Sequence, residues 1–195
     1  MIYLYDRAIC EDLNKSFNNK KSVVQVIDPE GAINILAQIQ NDEIHYPAVC
    51  LKRLDNQIDN GRLNFSRAQK GFGAVFDEKD NIYYLEKSIP IDLSYELHIY
   101  TTNTVDMDEL IRELIFKYTN MYFLTIKLPY ESKRKIRFGV SVDTDAGISH
   151  TSGTFDYLSA GKLYESILTL KCDGCIMLTY DGSKLQRTEH KVIPE

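Results

Sequence analysis

The chain has 195 residues, 44% of them hydrophobic and 26% charged, the profile of an ordinary globular protein able to bury a sizeable core. Twenty-three basic against 28 acidic residues leave a net charge of −5, which argues against broad binding to nucleic-acid backbones while allowing a local basic patch. No apolar run approaches the about 18 residues of a membrane span, and no secretory signal opens the chain. A cytoplasmic protein without membrane contact is therefore expected, with Cys10, Cys50, Cys172 and Cys175 reduced.

In chain order, Ile2 to Phe17 reads as a helix, with Leu4, Ala8, Leu13 and Phe17 near one side, Tyr5 and Ile9 beside them, and Asp6, Glu11, Asp12 and Lys15 opposite. Asn18 to Lys21 breaks it, and Val23 to Ile27 is β-branched enough for a strand. Asp28-Pro29-Glu30 then opens a second helix through Ile33, Leu36, Ala37 and Gln40, because proline loses nothing in a first turn. Tyr46-Pro47 leads into a short buried strand, Ala48 to Leu51. Leu54 to Gln69 has no sustained period and reads as a long polar loop, with some strand character at Leu63 to Phe65. Phe72 to Leu85 reads as a projecting hairpin of two aromatic-rich strands around the charged turn Asp77 to Asn81.

The central unit is Ile89 to Asn120. Ile91, Leu93, Tyr95, Leu97, Ile99 and Thr101 alternate with Asp92, Ser94, Glu96 and His98, the period-two mark of a strand with one face buried. The spacing then changes to Met107, Leu110, Ile111, Leu114, Ile115 and Tyr118, one face of a helix, with Asp106 and Glu109 placed to satisfy its first turn. Tyr122 to Leu128 and Ile136 to Val142 alternate again as strands. Asp143 to Gly161 reads as a second long loop, and Leu163 to Leu170 and Ile176 to Tyr180 as two strand pieces joined by a bend at Cys172 to Cys175. Residues from about 182 to 195 read as a polar tail. The fold expected is a single α+β domain over 1–195: a mixed or antiparallel sheet with two or three helices packed on one side, plus the projecting hairpin.

Chemical motifs are sparse. Cys172-Asp173-Gly174-Cys175 matches a redox or metal spacing, but zinc needs about four ligands and no second pair stands nearby. A thioredoxin-type pair would open a helix, whereas this one lies between strand-like runs. Asp143-Thr144-Asp145-Ala146-Gly147 resembles half of a calcium loop, but Thr154 stands where the closing Glu is needed. His45, His98, His150 and His190 are dispersed, and Gly71-Phe72-Gly73 lacks the continuation of a phosphate loop. Lys133-Arg134-Lys135-Ile136-Arg137 is the concentrated basic stretch; it suits a hydrated loop or one half of a charged protein interface better than a phosphate site. No catalytic residue, metal or cofactor is expected.

The order of these pieces resembles the tail terminators of long-tailed phages and phage-tail-like particles, in particular the neck or tail-sheath-stabilising terminators of contractile tails. The likeness rests on the first helix with Tyr5-Asp6, on Tyr46-Pro47-Ala48-Val49-Cys50-Leu51, on Pro90-Ile91-Asp92-Leu93-Ser94-Tyr95-Glu96-Leu97, and on Met107-Asp108-Glu109-Leu110-Ile111-Arg112-Glu113-Leu114 leading to a strand. The resemblance implies a structural virion protein and no enzyme. Such a protein forms a homo-oligomeric, hexameric ring that caps the head-proximal end of the tail tube and meets the sheath and the head-tail connector, with no specific nucleic-acid contact. Under it, the candidate assembly contacts are Arg62 and Phe65 in the polar loop, Phe72, Phe76 and Tyr83 in the hairpin, Glu96 and His98 on the polar side of the central strand, and Lys133, Arg134, Lys135 and Arg137 in the basic stretch. The rival readings are another ring-forming neck or baseplate component, such as a tail completion or sheath-initiating protein, and a thiol- or metal-dependent enzyme centred on Cys172 and Cys175.

Overall fold

The computed structural model describes residues 1–17, 24–41, 43–59, 61, 73–77, 82–128, 135–151 and 163–180. Among them the elements run α1 (Tyr3–Phe17), β1 (Gln25–Ile27), a 3-10 turn (Gly31–Asn34), α2 (Ile35–Gln40), β2 (Ala48–Ile58), β3 (Gly73–Asp77), β4 (Ile82–Thr101), α3 (Thr104–Tyr118), β5 (Tyr122–Lys127), β6 (Lys135–Val142), β7 (Ile148–Thr151) and β8 (Tyr164–Tyr180). The fold is α+β, a mixed sheet in the order β1-β2-β4-β8-β6-β5, with β3 beside the first part of β4 and β7 beside the first part of β8. Only β1 and β2 pair in parallel; the other pairs described are antiparallel.

The spine is β4 against β8, paired without a register shift from Leu85↔Tyr180 to Thr101↔Tyr164. The alternation read in β4 is the one observed: Ile91, Leu93, Tyr95, Leu97 and Ile99 are buried. They join Val49 and Leu51 of β2, Phe138 and Val140 of β6, and Leu168, Leu170 and Cys172 of β8 beneath α1 and α3. Each fully buried leucine here contributes roughly 2 kcal/mol of transfer free energy. The opposite side of the sheet is mostly polar. One corner of it carries a smaller core, in which Ile35 and Ile39 of α2 pack with Ile27, Ala48, Cys50 and Tyr100. The expectation of helices on one side therefore holds for α1 and α3, while α2 covers the other face, because odd and even residues of β2 and β4 are both apolar at that end.

Several boundaries differ from the sequence reading. β2 does not stop at Leu51 but runs to Ile58 through a register shift between Arg53 and Asn56, so the polar stretch from Leu54 begins as strand. The Phe72 to Leu85 hairpin is present as β3 paired with the start of β4, but its second strand is continuous with the central strand. β7 occupies Ile148–Thr151, inside the stretch read as a loop. The expected bend at Cys172 to Cys175 is absent: β8 is one strand of 17 residues. Asp173-Gly174 looks like turn chemistry in isolation, but Gly174 is in the ladder opposite Ile91. A Cβ there would come within 3.1 Å of Leu93 Cδ1 and 3.4 Å of Tyr5 Cε1, so the glycine makes room chiefly for Leu93. Finally, α3 is capped by Asn103, whose side chain accepts from the Val105 N–H at 2.9 Å, not by an Asp106 and Glu109 pair. The calls at Leu63 to Phe65, at 152–161 and at 182–195 lie outside the described residues.

Candidate functional site

Beneath the sheet, polar side chains that the sequence placed on the outside of α1 are turned inward as locks. Asp6 is buried and accepts from Tyr95 Oη at 2.8 Å and from Arg53 Nη1 at 2.9 Å. Burial pushes its pKa up, and the bonds from Tyr95 and Arg53 pull it back only in part. Asp12 holds Lys117 at 2.5 Å and accepts from Tyr118 Oη at 2.7 Å, tying α3 to α1. The Tyr5 hydroxyl accepts from the Cys175 N–H at 2.9 Å and donates to the Cys175 carbonyl at 2.7 Å, closing the edge of β8 just beyond β6. These contacts tie α1 to α3 and to strands β2, β4 and β8.

On the open face of the sheet, away from α1 and α3, His98 is held at both ring nitrogens, Nδ1 at 2.8 Å from Glu165 and Nε2 at 3.1 Å from Glu96. Lys52 lies 3.6 Å from the same Glu96 oxygen, and Tyr100 stacks on the imidazole at a centroid distance of 6.3 Å. Burial depresses the His98 pKa, but the two carboxylates more than reverse this and the net shift is upward. Hydrogen bonding from His98 in turn holds Glu165 below the usual carboxylate range. This is a satisfied cross-strand network spanning β2, β4 and β8.

Farther along the same face is an open cleft of about 590 Å³ lined by Gln57, Asp59, Asp92, Ser94, Lys171 and Asp173. Asp92 and Asp173 stand directly opposite one another in the β4–β8 ladder. Lys171 is held by Asp143 at 2.8 Å and by Asp145 at 3.5 Å. The hydrogen bond from Lys171 is the main reason the Asp143 pKa lies below its ordinary value. At the sheet margin, the β5–β6 ribbon is basic: Lys127 is opposite Lys135, and Thr125 opposite Arg137. The Arg137 guanidinium sits 4.2 Å from the centroid of the Phe123 ring, whose residue is 48% exposed beside Met121 at 49%.

The thiols do not form a site together. Cys172 and Cys175 are three apart in an unbroken strand, so their side chains point to opposite faces and cannot share one metal ion. Burial pushes the thiol of Cys10 up to about 12 and that of Cys50 up to about 11, away from nucleophile chemistry. Among the described residues, no group of three or more His, Cys, Asp or Glu is arranged to hold a metal ion, and no helix is long and apolar enough to cross a membrane.

Of the residues singled out in the sequence, Glu96 and His98 are brought together, while Lys135 and Arg137 lie on the ribbon away from them. Phe76 and Tyr83 are direct partners across β3 and β4. Arg62, Phe65, Phe72, Lys133 and Arg134 lie outside the described residues. Sequence reasoning missed Glu165, Lys52 and Tyr100, because their meeting with His98 depends on strand register, and it missed the cleft because Asp173 resembled a turn residue. Neither protein-family models nor curated proteins give a match to this chain.

Proposed function

We propose that the chain is a structural subunit that assembles through its own surfaces into a ring capping the head-proximal end of a phage or phage-like tail tube, ending its growth and meeting the sheath and the head connector. The observation that carries this reading is the division of the subunit into a rigid body and an unlike pair of charged surfaces. β4 and β8, paired from Leu85 to Thr101 without a break, make a stiff spine under α1 and α3. The opposite face bears an acidic cleft on the spine and a basic, partly apolar ribbon at the margin. Contacts between unlike patches repeat head to tail and close into a ring when the rotation permits. The resemblance of the Pro90 to Leu97 run and of the element order to tail terminators supplies the biological setting.

The test is to add the purified protein to polymerising tube subunits of the same particle. Tubes that stop growing and carry a ring at one end in electron micrographs are the expected result. Tube lengths unchanged by the protein contradict the reading, and density at the distal end instead assigns the chain to the baseplate.

A further inference from the structure

On the open face, the His98 imidazole stands between two carboxylates in unequal surroundings. Glu165 comes from β8, lies 2.8 Å from Nδ1, has a side chain 13% exposed and is also hydrogen-bonded by Tyr100. Glu96 comes from β4 itself, lies 3.1 Å from Nε2 and is 25% exposed. Directly opposite Glu96 on β2 is Lys52, 3.6 Å from the same carboxylate oxygen. The other groups around the ring, among the described residues, are neutral. Cys50 faces His98 from β2, and burial pushes its thiol up to about 11. Ile167 faces it from β8, with Ser149 of β7 beyond, and burial holds the Tyr100 hydroxyl above its ordinary range.

The imidazolium donates to both carboxylates, but a neutral ring has a single N–H. One carboxylate must then face a lone pair at hydrogen-bond distance, and the geometry decides which. Releasing Glu165 would strand the more enclosed charge, which is costly. Glu96 opens toward solvent and has an ammonium beside it.

We propose that His98 is a proton-driven switch: on deprotonation its N–H stays at Nδ1 with Glu165, and Glu96 passes from Nε2 to Lys52. Two carboxylates and two cations make the protonated network neutral, and loss of the proton leaves it at −1. β4 then holds β8 through His98 and Glu165, and β2 through Glu96 and Lys52, as two separate ties in place of one continuous network. The upward shift of the His98 pKa, which the carboxylates impose against the effect of burial, places the change above about pH 6.5. The handover belongs to the single subunit and stands apart from the ring reading.

Nitrogen NMR of the full chain, labelled at histidine and titrated from about pH 5.5 to about pH 9, reads both ring nitrogens. His98→Gln identifies the His98 signals among the four histidines. As pH rises, Nε2 is expected to move to the position of a bare imidazole nitrogen while Nδ1 stays protonated. Glu96→Gln lowers the midpoint by about one unit, roughly ten-fold in proton affinity, and keeps the tautomer. A double-mutant cycle of Glu96→Gln and Lys52→Met in urea titrations is expected to give a stronger coupling above the midpoint than below it, with circular dichroism checking each fold. A neutral His98 protonated at Nε2 would overturn the proposal, since Glu165 would then be the group released. So would an imidazolium that persists to about pH 9, or a Glu96–Lys52 coupling that does not grow as His98 loses its proton.

Discussion

His98 is the residue whose surroundings make the clearest demand on solution conditions. With carboxylates at both ring nitrogens, the imidazolium is the form that can donate to Glu165 and Glu96 at once. Its pKa is raised above the ordinary 6.5, so its contribution to stability is fully present below about 6.5 and is lost as pH rises through the folded value. Glu165 is lowered from 4.5, so its contribution is present above about 4.5 and is lost as pH falls through its folded value. Both are in place between those limits. Thermal melts of the wild type are therefore expected to fall from about pH 6.5 toward pH 9 more steeply than those of His98→Gln, and parallel curves would remove the histidine from the account. Asp6 makes a second residue-level case. Asp6→Ala leaves Arg53 and the buried Tyr95 hydroxyl without their acceptor, and a loss of about 2 kcal/mol is expected in urea titrations, Arg53 being partly solvated.

At the scale of elements, α1, α3 and the core face of β4 were legible because their apolar residues repeat at 3.6 or 2 over many positions. What the sequence hid was where a polar residue has a tertiary reason. Asp6 reads as solvent-facing until Arg53 and Tyr95 arrive from β2 and β4, and Asp55-Asn56-Gln57 reads as loop although β2 continues through it. Gly174 reads as a turn although it lies within the unbroken β8, closely packed against Leu93. Gly174→Ala is accordingly expected to cost about 1–2 kcal/mol by pressing on Leu93 and Tyr5, and a neutral result in urea titration would mean that this edge yields easily. Leu97→Asp places a charge in the middle of the spine and is expected to cost more than about 4 kcal/mol, leaving no folded subunit by circular dichroism. Glu96→Lys, one residue away, leaves the core intact but sets a cation beside Lys52 and His98, so a folded, less stable subunit is expected. A folded Leu97→Asp protein would mean the core face is misassigned.

For the whole molecule, the charge distribution matters more than the net charge of −5. The sequence displayed the basic stretch as a run, because its members are neighbours in the chain. The acidic cleft was invisible, because Asp59, Asp92 and Asp173 come from three separate segments and meet only through the β2-β4-β8 order. On the proposed reading, these two surfaces are the unlike pair of contacts that a head-to-tail ring requires. The most direct measurement is the mass of the purified chain by native mass spectrometry, with negative-stain images of the same sample, alone and with tube subunits. The account predicts a closed ring of one discrete size that dissociates as salt is raised; a monomer under every one of these conditions would contradict it.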